Sequence, residues 1–466
     1  MGAIHILQKD EQYMPKLSII IPVYNMSAQA NHCLSTIRKT VRLPYEVIII
    51  DDGSPADECT IVSSAEDDVR VIRCAAHRGF SHAVNTGIRS SAGEVLLFLH
   101  ADILLAPHTA EDMLDALIND PALGAVCAVA PFVYERAQLL PDTPYQSWDS
   151  YVAVAEEIRA KESVPHPELF AEMIALMVRR DALDAAGFLD EAYSVPALAA
   201  YDYTLRMTRA GYGIASLPSV YIHHNDGLQD PEEYDRICEK ERALFHTKWG
   251  ISLDYSFQIR KDLFPLMDLS REGLRILEIG CACGATLREI GMQNPTAKLY
   301  GVEMNESAAV IAAPFAKILS MNVERLELAD ITERFDYIIM GDVIEHLLEP
   351  WTAIYNMREL LVPGGAIIAS IPNVAHISNL YYMLCGRWTY EDAGLLDRTH
   401  FRFFTKYEIV KLFEEAGFTI EQMESNKQEL SDGWQRFREE ILSLHMVDVN
   451  PEDLDAYQWL VRAQRT

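Results

Sequence analysis

The sequence alternates strand-like and helix-like segments twice, in two separate stretches of the chain. Over residues 17–105, apolar runs such as LSIIIPVY and YEVIIIDDGS alternate with segments of helical length. The alternation begins again after residue 273, with strands expected at 274–279, 298–303, 335–341 and 364–371. This pattern is typical of right-handed βαβ units that build a largely parallel sheet. The sequence therefore predicts two α/β domains, each with its own sheet.

The length of 466 residues also indicates more than one core, because single domains usually have about 100–200 residues. The segment DPEEYDRICEKERALFHTKWG is rich in charge and is typical of an exposed helix, and two further helical segments follow residue 427. We expect a first domain over 15–228, a helical linker over 229–262, a second domain over 263–426 and a helical C-terminal tail over 427–466.

Charge and composition restrict the partners and the compartment. The formal net charge of −29 disfavours nucleic acid and anionic membranes, because both attract clusters of Lys and Arg. We find no apolar run of the ~18–20 residues that span a bilayer and no signal-peptide core. The eight cysteines have no paired CxxC spacing, which favours reduced thiols. These features predict a cytoplasmic protein without a transmembrane segment, and they leave open an oligomer or a membrane-peripheral assembly.

Three predicted strands of the first domain end in polar residues. These ends are PVYN at 22–25, DDGS at 51–54 and HAD at 100–102. Ligands of open α/β sheets bind beyond the carboxyl ends of the strands. A carboxylate there can accept a hydrogen bond from a nucleobase, or hold a divalent cation shared with a diphosphate. Each Asp taken alone is equally explained as a helix cap, but the three together favour a nucleotide site.

With these motifs, residues 17 to about 225 resemble a family 2 glycosyltransferase of the GT-A fold. The matching pieces are SIIIPVYN, VIIIDDGS, HRGFSHAVNTGIRSSAGEVLLFLHAD and MVRRDALDAAGFLDEAY. The resemblance implies that Asp51 or Asp52 contacts the nucleobase of a nucleotide-sugar, and that Asp102 ligates Mn²⁺ or Mg²⁺ on the diphosphate. It also implies transfer with inversion, with Asp202 in AAYDYTLRM as general base. The further nucleotide-sugar contacts expected are Pro22, Tyr24, Arg78 and Asn85.

The first domain departs from the family pattern at two positions. His100 stands where an acidic or amide residue usually precedes the metal-binding Asp102, and Tyr201 stands before Asp202 in place of an acidic residue. A neutral imidazole can complete a metal site, and the resemblance favours His224 or His223 as that ligand. The alternatives are an ordinary histidine at a strand end and a degenerate, non-catalytic domain.

In the second domain, the stretch LEIGCACG at 277–284 places a carboxylate and two glycines after a strand. Glycines there let a helix N-terminus approach a ligand, while Glu278 stays free to accept hydrogen bonds. Glu303 ends the next strand, where a carboxylate can bind both hydroxyls of a ribose. The third edge, MNVE at 321–324, can contact an adenine. A dinucleotide dehydrogenase is the rival interpretation, but the glycine spacing differs from GxGxxG.

Residues 274–425 resemble a class I S-adenosylmethionine-dependent methyltransferase with a Rossmann-like fold. The motifs LEIGCACG, GVEMN, FDYIIMGDVIEHL and LLVPGGAIIASIPN occur in the family order. The resemblance implies that Gly280 and Gly284 line the methionine moiety and that Glu303 binds the ribose. Ala282 stands where the usual motif has glycine. The other cofactor contacts expected are Glu278, Asn322, Val323, Glu324 and Asp342.

Two segments are expected to bring acid–base groups to the methyl acceptor. GDVIEHL places Asp342, Glu345 and His346 beside the cofactor cleft, and LLDRTHFRFFT brings His400 over it from a long loop. Histidine is the side chain best suited to general-base catalysis near neutral pH, so His346 and then His400 are the candidate bases. The alternative for His346 is that it caps or packs a helix start.

The two resemblances together predict a bifunctional enzyme. It would transfer a sugar from a nucleotide donor to a glycan or glycolipid acceptor and O-methylate a sugar hydroxyl, in surface polysaccharide biosynthesis. Fusion raises the effective concentration of the second site around the product of the first. Three alternatives remain open: a methyltransferase with a non-catalytic glycan-binding domain, a glycosyltransferase that senses S-adenosylmethionine, and a scaffold of a polysaccharide assembly.

Overall fold

The computed structural model describes most of the chain as two compact units. The described residues are 16–55, 69–131, 145–161, 164–224, 231–327, 331–444 and 450–466, with the backbone alone for 231–235. The first unit is Met1–Ser252 and the second is Leu253–Thr466. Both contain mixed sheets flanked by helices, which confirms the predicted α/β fold class.

The first unit contains nine strands and seven helices among its described residues. In chain order they are β1 Leu17–Val23, α1 Ser27–Thr40, β2 Tyr45–Asp51, β3 Val69–Arg73, α2 Phe80–Ser90, β4 Val95–Leu99, β5 Ile103–Leu105, α3 Thr109–Asn119, β6 Leu123–Val129, α4 Trp148–Arg159, β7 His166–Glu168, β8 Ala175–Arg179, α5 Arg180–Ala186, α6 Pro196–Arg209, β9 Gly213–His224 and α7 Pro231–Trp249.

The sheet of the first unit has the order β3-β2-β1-β4-β8-β6-β9-β5, with β7 paired to β9. Strands β1 to β4 are parallel, whereas β8 runs antiparallel to β4 and β6. The order reverses between β1 and β4, and ligands of open α/β sheets bind at such a switch point. The strands there are buried and almost entirely apolar, as expected for a sheet with helices on both faces.

The second unit follows the same principle. Its elements are β10 Arg275–Ile279, α8 Ala285–Gln293, β11 Lys298–Glu303, α9 Glu306–Ala312, β12 Lys317–Ser320, β13 Phe335–Gly341, α10 Pro350–Leu360, β14 Leu361–Pro372, α11 Ile377–Leu384, α12 Lys406–Glu415, β15 Phe418–Lys427, α13 Asp432–Ser443, α14 Pro451–Asp455 and β16 Ala456–Arg465, with short 3-10 helices at Lys261–Leu266, Val323–Arg325 and Ile344–His346. The strand order is β12-β11-β10-β13-β14-β16-β15. All neighbours are parallel as far as β14, and β16 is antiparallel to both of its neighbours. The order reverses between β10 and β13.

The predicted helical tail over 427–466 is wrong from Ala456 onward. Helices α13 and α14 do occur there, but the chain then forms β16, which lies between β14 and β15 in the sheet. Trp459, Val461 and Ala463 point into the core and are fully buried, while Arg462 and Gln464 alternate with them. Period-two burial of this kind requires a strand, so the second unit extends to the last residues of the chain.

The predicted linker over 229–262 is also corrected. Helix α7 forms there as expected, but it belongs to the first unit, which ends at Ser252. Phe245 and Trp249 are buried, so α7 contributes to the core of that unit rather than connecting two domains. Within the described part of the chain, no helix has both the length and the apolar character that crossing a membrane would require.

We expect the Trp459→Ala substitution to reduce the stability of the second unit strongly. The indole is fully buried in a strand that lies between β14 and β15, and truncating such a side chain costs about 3–5 kcal/mol. The free energy of unfolding, measured by urea denaturation and circular dichroism, checks this. Tyr407→Ala is the control, because Tyr407 is exposed. Equal effects of the two substitutions would contradict the position of β16 between β14 and β15.

Candidate active sites

The three polar strand ends of the first unit meet at one edge of the sheet. Strand β1 pairs in parallel with β2, with Val23 opposite Asp51, and it pairs in parallel with β4 on its other side. The backbone N–H of Asp52 donates to the carbonyl of Val23 (2.8 Å), and the N–H of Asn25 donates to the Ser54 hydroxyl (2.9 Å). The turns PVYN and DDGS are therefore tied together.

Asp51 and Asp52 have different environments. Asp51 accepts a hydrogen bond from the N–H of Ser54 (2.9 Å) and lies 3.5 Å from the guanidinium of Arg73. Oδ2 of Asp52 accepts from the N–H groups of Arg78 (3.0 Å) and Gly79 (2.7 Å), and it lies 2.8 Å from Nδ1 of His77. Oδ1 of Asp52 is buried without a hydrogen-bond partner among the described residues.

Asp52 thus holds the loop 76–79 against the DDGS turn. A Cβ atom on Gly53 would lie 2.5 Å from the backbone of Ala76 and His77, so only glycine permits this approach. Tyr24 stacks on His77 at 3.8 Å between ring centroids and remains exposed. Pro22 is partly buried at the end of β1.

Of the expected polar contacts, Arg78 is exposed and Asn85 is not. The amide of Asn85 is buried and bonds to both the N–H and the carbonyl of Leu189 (each 2.9 Å) and to Glu191 (3.1 Å). Its amide groups are therefore used within the protein, contrary to the predicted ligand contact. The carboxylate of Glu191 also contacts Arg78 (3.4 Å) and His82 (3.2 Å). The sequence motifs did not indicate a role for Glu191. These contacts, with the Asn85 hydrogen bond first, lower the pKa of Glu191.

His100, Asp102 and His224 form a cluster that could hold a cation, which we call the Asp102 cluster. Their ligating atoms lie within 4.8 Å of one another, and Nε2 of His224 is 3.7 Å from Oδ2 of Asp102. The pairing of β5 with β9 places His224 opposite Ile103. His223 instead contacts the Tyr145 hydroxyl, which selects His224 of the two expected candidates. His100, a departure from the motif, is the third member.

The electrostatics of the Asp102 cluster suit a cation. Burial lowers the pKa of His100 to about 3, with help from His224, so its imidazole is neutral and can ligate at neutral pH. Burial raises the pKa of Asp102, and its Oδ1 atom has no hydrogen-bond partner within the described segments. Two imidazoles and a carboxylate match the ligand preferences of Mn²⁺ and Zn²⁺.

Asp202 does not have the environment of a general base. Its side chain is fully buried, at 0% exposure. Oδ2 accepts from Nε of Arg206 (3.0 Å), and Oδ1 accepts from the Trp249 indole (3.0 Å) and from Nζ of Lys248 (2.7 Å). A general base must reach the proton that it removes. In this structure Asp202 fastens α7 to α6, and its role as general base stays a prediction.

We expect Asp202→Ala to destabilise the first unit by about 3–5 kcal/mol, because it leaves buried donors and charges without their partner. Asp184→Ala, at an exposed position of α5, should change the stability by less than about 0.5 kcal/mol. Urea denaturation followed by circular dichroism gives both values. A catalytic defect with unchanged stability would restore Asp202 as a base.

The second unit has a cavity of about 530 Å³ at the switch point of its sheet. It lies beyond the carboxyl ends of β10, β11 and β13. The predicted cofactor and base residues that line it are Glu278, Gly280, Glu303, Asn322, Val323, Glu324, Asp342 and His346. Gly284 is not among the lining residues. Its backbone has φ of +81° and packs on Ala312, which a Cβ atom would approach to 2.9 Å, so it allows α8 and α9 to pack closely.

The glycine-rich turn is held by Glu303. Oε2 of Glu303 accepts from the N–H of Ala282 (2.9 Å), and Oε1 accepts from the N–H of Asn305 (2.7 Å). A carboxylate offers about four lone-pair positions, so Glu303 can still accept from a ligand. Ala282 has φ of +47°, in the left-handed region, which explains why glycine is usual there.

Asp342 lies in the wall of the cavity, where it accepts hydrogen bonds from residues outside the sequence motifs. Oδ2 accepts from Arg260 (2.7 Å), and Oδ1 accepts from the Ser370 hydroxyl (2.7 Å) and the Gln458 amide (2.8 Å). Arg260 comes from the expected linker and Gln458 from the expected helical tail. On the opposite wall, Oε1 of Glu324 accepts from the N–H groups of Leu348 and Glu349 (each 2.9 Å).

His346 and His400 lie together, but only His346 lines the cavity. Their rings meet edge to face at 4.7 Å between centroids. Burial, and then His346, lower the pKa of His400. Glu345 is fully buried beside them, and burial raises its pKa well above the usual range. Glu345, His346 and His400 bring their ligating atoms within 4.8 Å of one another.

Burial raises the pKa of Glu278 to about 8, although a hydrogen bond from Thr286 opposes this shift. The folded protein therefore binds one more proton than the unfolded chain between about pH 4.5 and pH 8, and this contribution to stability is lost as the pH rises through that window. We expect the stability of Glu278→Gln relative to wild type to be about 2–4 kcal/mol higher at pH 8.5 than at pH 5.

Urea denaturation at the two pH values measures the difference for Glu278→Gln. Glu272→Gln is the control, because Glu272 is exposed. A pH dependence that is the same in Glu278→Gln and in wild type would show that Glu278 ionises normally in the folded state.

Comparison with known protein families agrees with the two folds. Residues 18–186 match the family Glycosyl transferase family 2, and residues 255–423 match a family described as a methyltransferase domain. The chain therefore carries a family 2 glycosyltransferase domain followed by a methyltransferase domain. The rival interpretation of the second half as a dinucleotide dehydrogenase is not supported by this match.

Individual relatives fall into the same two groups. Glycosyltransferase AglE of Haloferax volcanii is 28% identical over 237 residues, which cover 49% of this chain and 71% of that protein. A ubiquinone biosynthesis O-methyltransferase of Cereibacter sphaeroides is 32% identical over 155 residues, covering 31% of this chain and 60% of that protein. The solved mannosyltransferase PcManGT from Pyrobaculum calidifontis, in complex with GDP-Man and Mn²⁺, has 19% identity and a TM-score of 0.38, covering 51% of this chain and 65% of that one. A similarity of that size is too low to support a conclusion about the site.

Proposed function

We propose that this chain is a bifunctional enzyme that transfers a sugar from a nucleotide-sugar to a glycan or glycolipid acceptor and O-methylates a sugar hydroxyl with S-adenosylmethionine. Its place would be surface polysaccharide biosynthesis in the cytoplasm. One observation carries the proposal. In each unit, acidic side chains lie at the carboxyl ends of the strands, at the point where the strand order of that unit's sheet reverses.

The residues of the second unit fit S-adenosylmethionine. Gly280 and Ala282 line the cavity before the start of α8. Glycine lets the turn pass close to Val343, because a Cβ atom on Gly280 would approach that side chain to 3.0 Å. Glu303 has spare acceptor capacity for a ribose diol, and Asn322 to Glu324 line the far end of the cavity for an adenine. S-adenosylmethionine supplies an electrophilic methyl group, and the protein orients an acceptor hydroxyl in line with it.

The residues of the first unit fit a diphosphate held through Mn²⁺ or Mg²⁺. The Asp102 cluster offers a carboxylate oxygen and neutral imidazole nitrogen, and the unpartnered Oδ1 of Asp102 marks an unsatisfied acceptor there. Asp52 and the exposed ring of Tyr24 lie at the neighbouring strand ends, where a nucleobase would bind. Arg78, exposed on the loop that Asp52 holds, is available to a phosphate.

A second candidate is a methyltransferase whose first domain binds a glycan or nucleotide without transferring sugar. The burial of Asp202 favours it, because the carboxylate expected to remove the acceptor proton is bonded to Arg206, Lys248 and Trp249. The two candidates share the second activity and differ only in whether the nucleotide is released from its sugar.

We expect two separable activities when the full chain is mixed with Mn²⁺, labelled S-adenosylmethionine and a panel of nucleotide-sugars, with and without glycan acceptors. Release of nucleotide and of S-adenosylhomocysteine are measured together. Asp102→Asn should reduce only nucleotide release, and Glu303→Gln should weaken S-adenosylmethionine binding by about 10–100-fold, since hydrogen bonds to a charged group contribute about 1.5–3 kcal/mol.

Each of these variants is the control for the other. Release of S-adenosylhomocysteine without nucleotide release from any donor would favour the second candidate. Methylation of protein or of small metabolites, without methylation of any glycan tested, would exclude a sugar hydroxyl as the acceptor. If the wild-type chain binds neither S-adenosylmethionine nor any nucleotide-sugar in calorimetry, the bifunctional proposal is rejected.

A further inference from the structure

The three residues Glu345, His346 and His400 form what we call the Glu345 cluster, at the edge of the cavity in the second unit. One ligating atom of each lies within 4.8 Å of the others. Ligand atoms that share one tetrahedral ion with bonds of about 2.0–2.2 Å lie about 3.3–3.6 Å apart, so these side chains would have to close around the ion by up to about 1.5 Å. From the sequence, the two histidines are candidate general bases, with capping or packing of a helix start as the alternative for His346.

Both histidines are oriented through hydrogen bonds at Nδ1, which leaves Nε2 as the candidate ligand atom of each. Nδ1 of His346 lies 3.1 Å from the carbonyl oxygen of Thr399, and Nδ1 of His400 lies 3.3 Å from the carbonyl oxygen of Leu395. A carbonyl oxygen can only accept, so Nδ1 is the donor in each contact, and in the neutral imidazole the lone pair is then on Nε2. This is the arrangement by which proteins orient metal-binding histidines. Thr399 is itself fixed by Asp397, which accepts from its N–H and its hydroxyl (both 2.7 Å).

The environment of Glu345 is a second observation, separate from the two histidines, that indicates a cation. Its side chain is 1% exposed, and neither carboxylate oxygen has a hydrogen-bond partner among the described residues. Its backbone carbonyl accepts from the N–H groups of Phe401 (2.9 Å) and Arg402 (3.0 Å), which fixes the carboxylate beside the loop that carries His400. A buried carboxyl group without a partner is costly, and a bound cation would remove that cost.

We propose that Glu345, His346 and His400 bind a divalent cation such as Zn²⁺ or Mn²⁺ beside the S-adenosylmethionine cavity, with open coordination positions for an acceptor oxygen. Two imidazoles and one carboxylate are the ligand set of catalytic zinc sites and of open divalent-iron sites. His346 is shared by the cluster and the cavity wall, and Phe401 next to His400 also lines the cavity. The cation therefore lies where a methyl acceptor would enter.

The role in methyl transfer rests on the proposed function, whereas the cation site itself does not. A cation beside the acceptor hydroxyl lowers the pKa of that hydroxyl, and the released proton passes to water. The acceptor oxygen then forms a bond to the methyl carbon while the carbon–sulfur bond breaks and its electron pair stays on sulfur. His346 and His400, as ligands, do not serve as the general base.

Zn²⁺ binding to the full chain tests the cation site. The background variant is Asp102→Asn, which weakens the separate Asp102 cluster in the first unit. We expect this variant to bind one equivalent of Zn²⁺ in calorimetry, and Co²⁺ in its place to give the visible absorption of a site with nitrogen ligands. Adding Glu345→Gln should weaken binding at least about 100-fold, since even outer-shell partners of metal sites contribute 10–100-fold.

Glu349→Gln, an exposed glutamate four residues away, is the matched control and should leave Zn²⁺ binding unchanged. Binding of S-adenosylmethionine without metal is measured on every variant, and its retention shows that the second unit is folded. If Glu345→Gln prevents folding, His346→Ala, at a partly exposed position, replaces it with the same expected loss of Zn²⁺.

Equal Zn²⁺ affinity with and without Glu345→Gln would overturn the cation site, and so would an Asp102→Asn background that binds no Zn²⁺. Zn²⁺ binding that depends on Glu345 in a chain that does not bind S-adenosylmethionine would support the cation site and reject the methyltransferase function. Zn²⁺ binding therefore tests the cation site and S-adenosylmethionine binding tests the methyltransferase function, so each proposal can be rejected without the other.

Discussion

Both units depend on carboxylates held at the buried carboxyl ends of parallel strands. Burying a carboxylate is unfavourable unless hydrogen bonds or positive charge compensate for it. In the first unit, Asp52 is compensated by the backbone N–H groups of Arg78 and Gly79. In the second, Glu303 is compensated by those of Ala282 and Asn305. The hydrogen bonds that stabilise these carboxylates also fix the turns at the strand ends where a ligand would bind.

Compensation is incomplete at several buried carboxylate oxygens, and most of these lie at the candidate sites. Oδ1 of Asp52, Oδ1 of Asp102, Oε2 of Glu278 and both oxygens of Glu345 are buried without partners among the described residues. Asp202 shows the opposite case, because three donors satisfy it completely and connect α7 to α6. A satisfied carboxylate stabilises the fold, whereas an unsatisfied one at a strand end is ready for a ligand or a cation.

The strands, the polar strand ends and eight of the residues that line the cavity were predictable from local patterns. Apolar runs bounded by polar turns identify buried parallel strands, and β11 and β13 lie at the predicted residues. The errors concern segments whose structure depends on distant partners. Strand β16 was predicted as helix because a ten-residue segment rich in polar side chains becomes a strand only between β14 and β15. The resemblance predicted that Asn85 contacts a ligand, but its amide bonds to residues more than 100 positions away, and no local pattern indicates that pairing.

By itself, the sequence determined that the chain has two α/β units and which strand ends carry chemistry, because apolar periodicity and strand-end residues are local properties. Only the tertiary structure decided which of those polar groups remain available. It brought Arg260 and Gln458 onto Asp342, turned His223 away from the Asp102 cluster, and placed Glu345 between two histidines. Whether a carboxylate binds a ligand or supports the fold depends on donors from distant segments, and their approach is a property of packing.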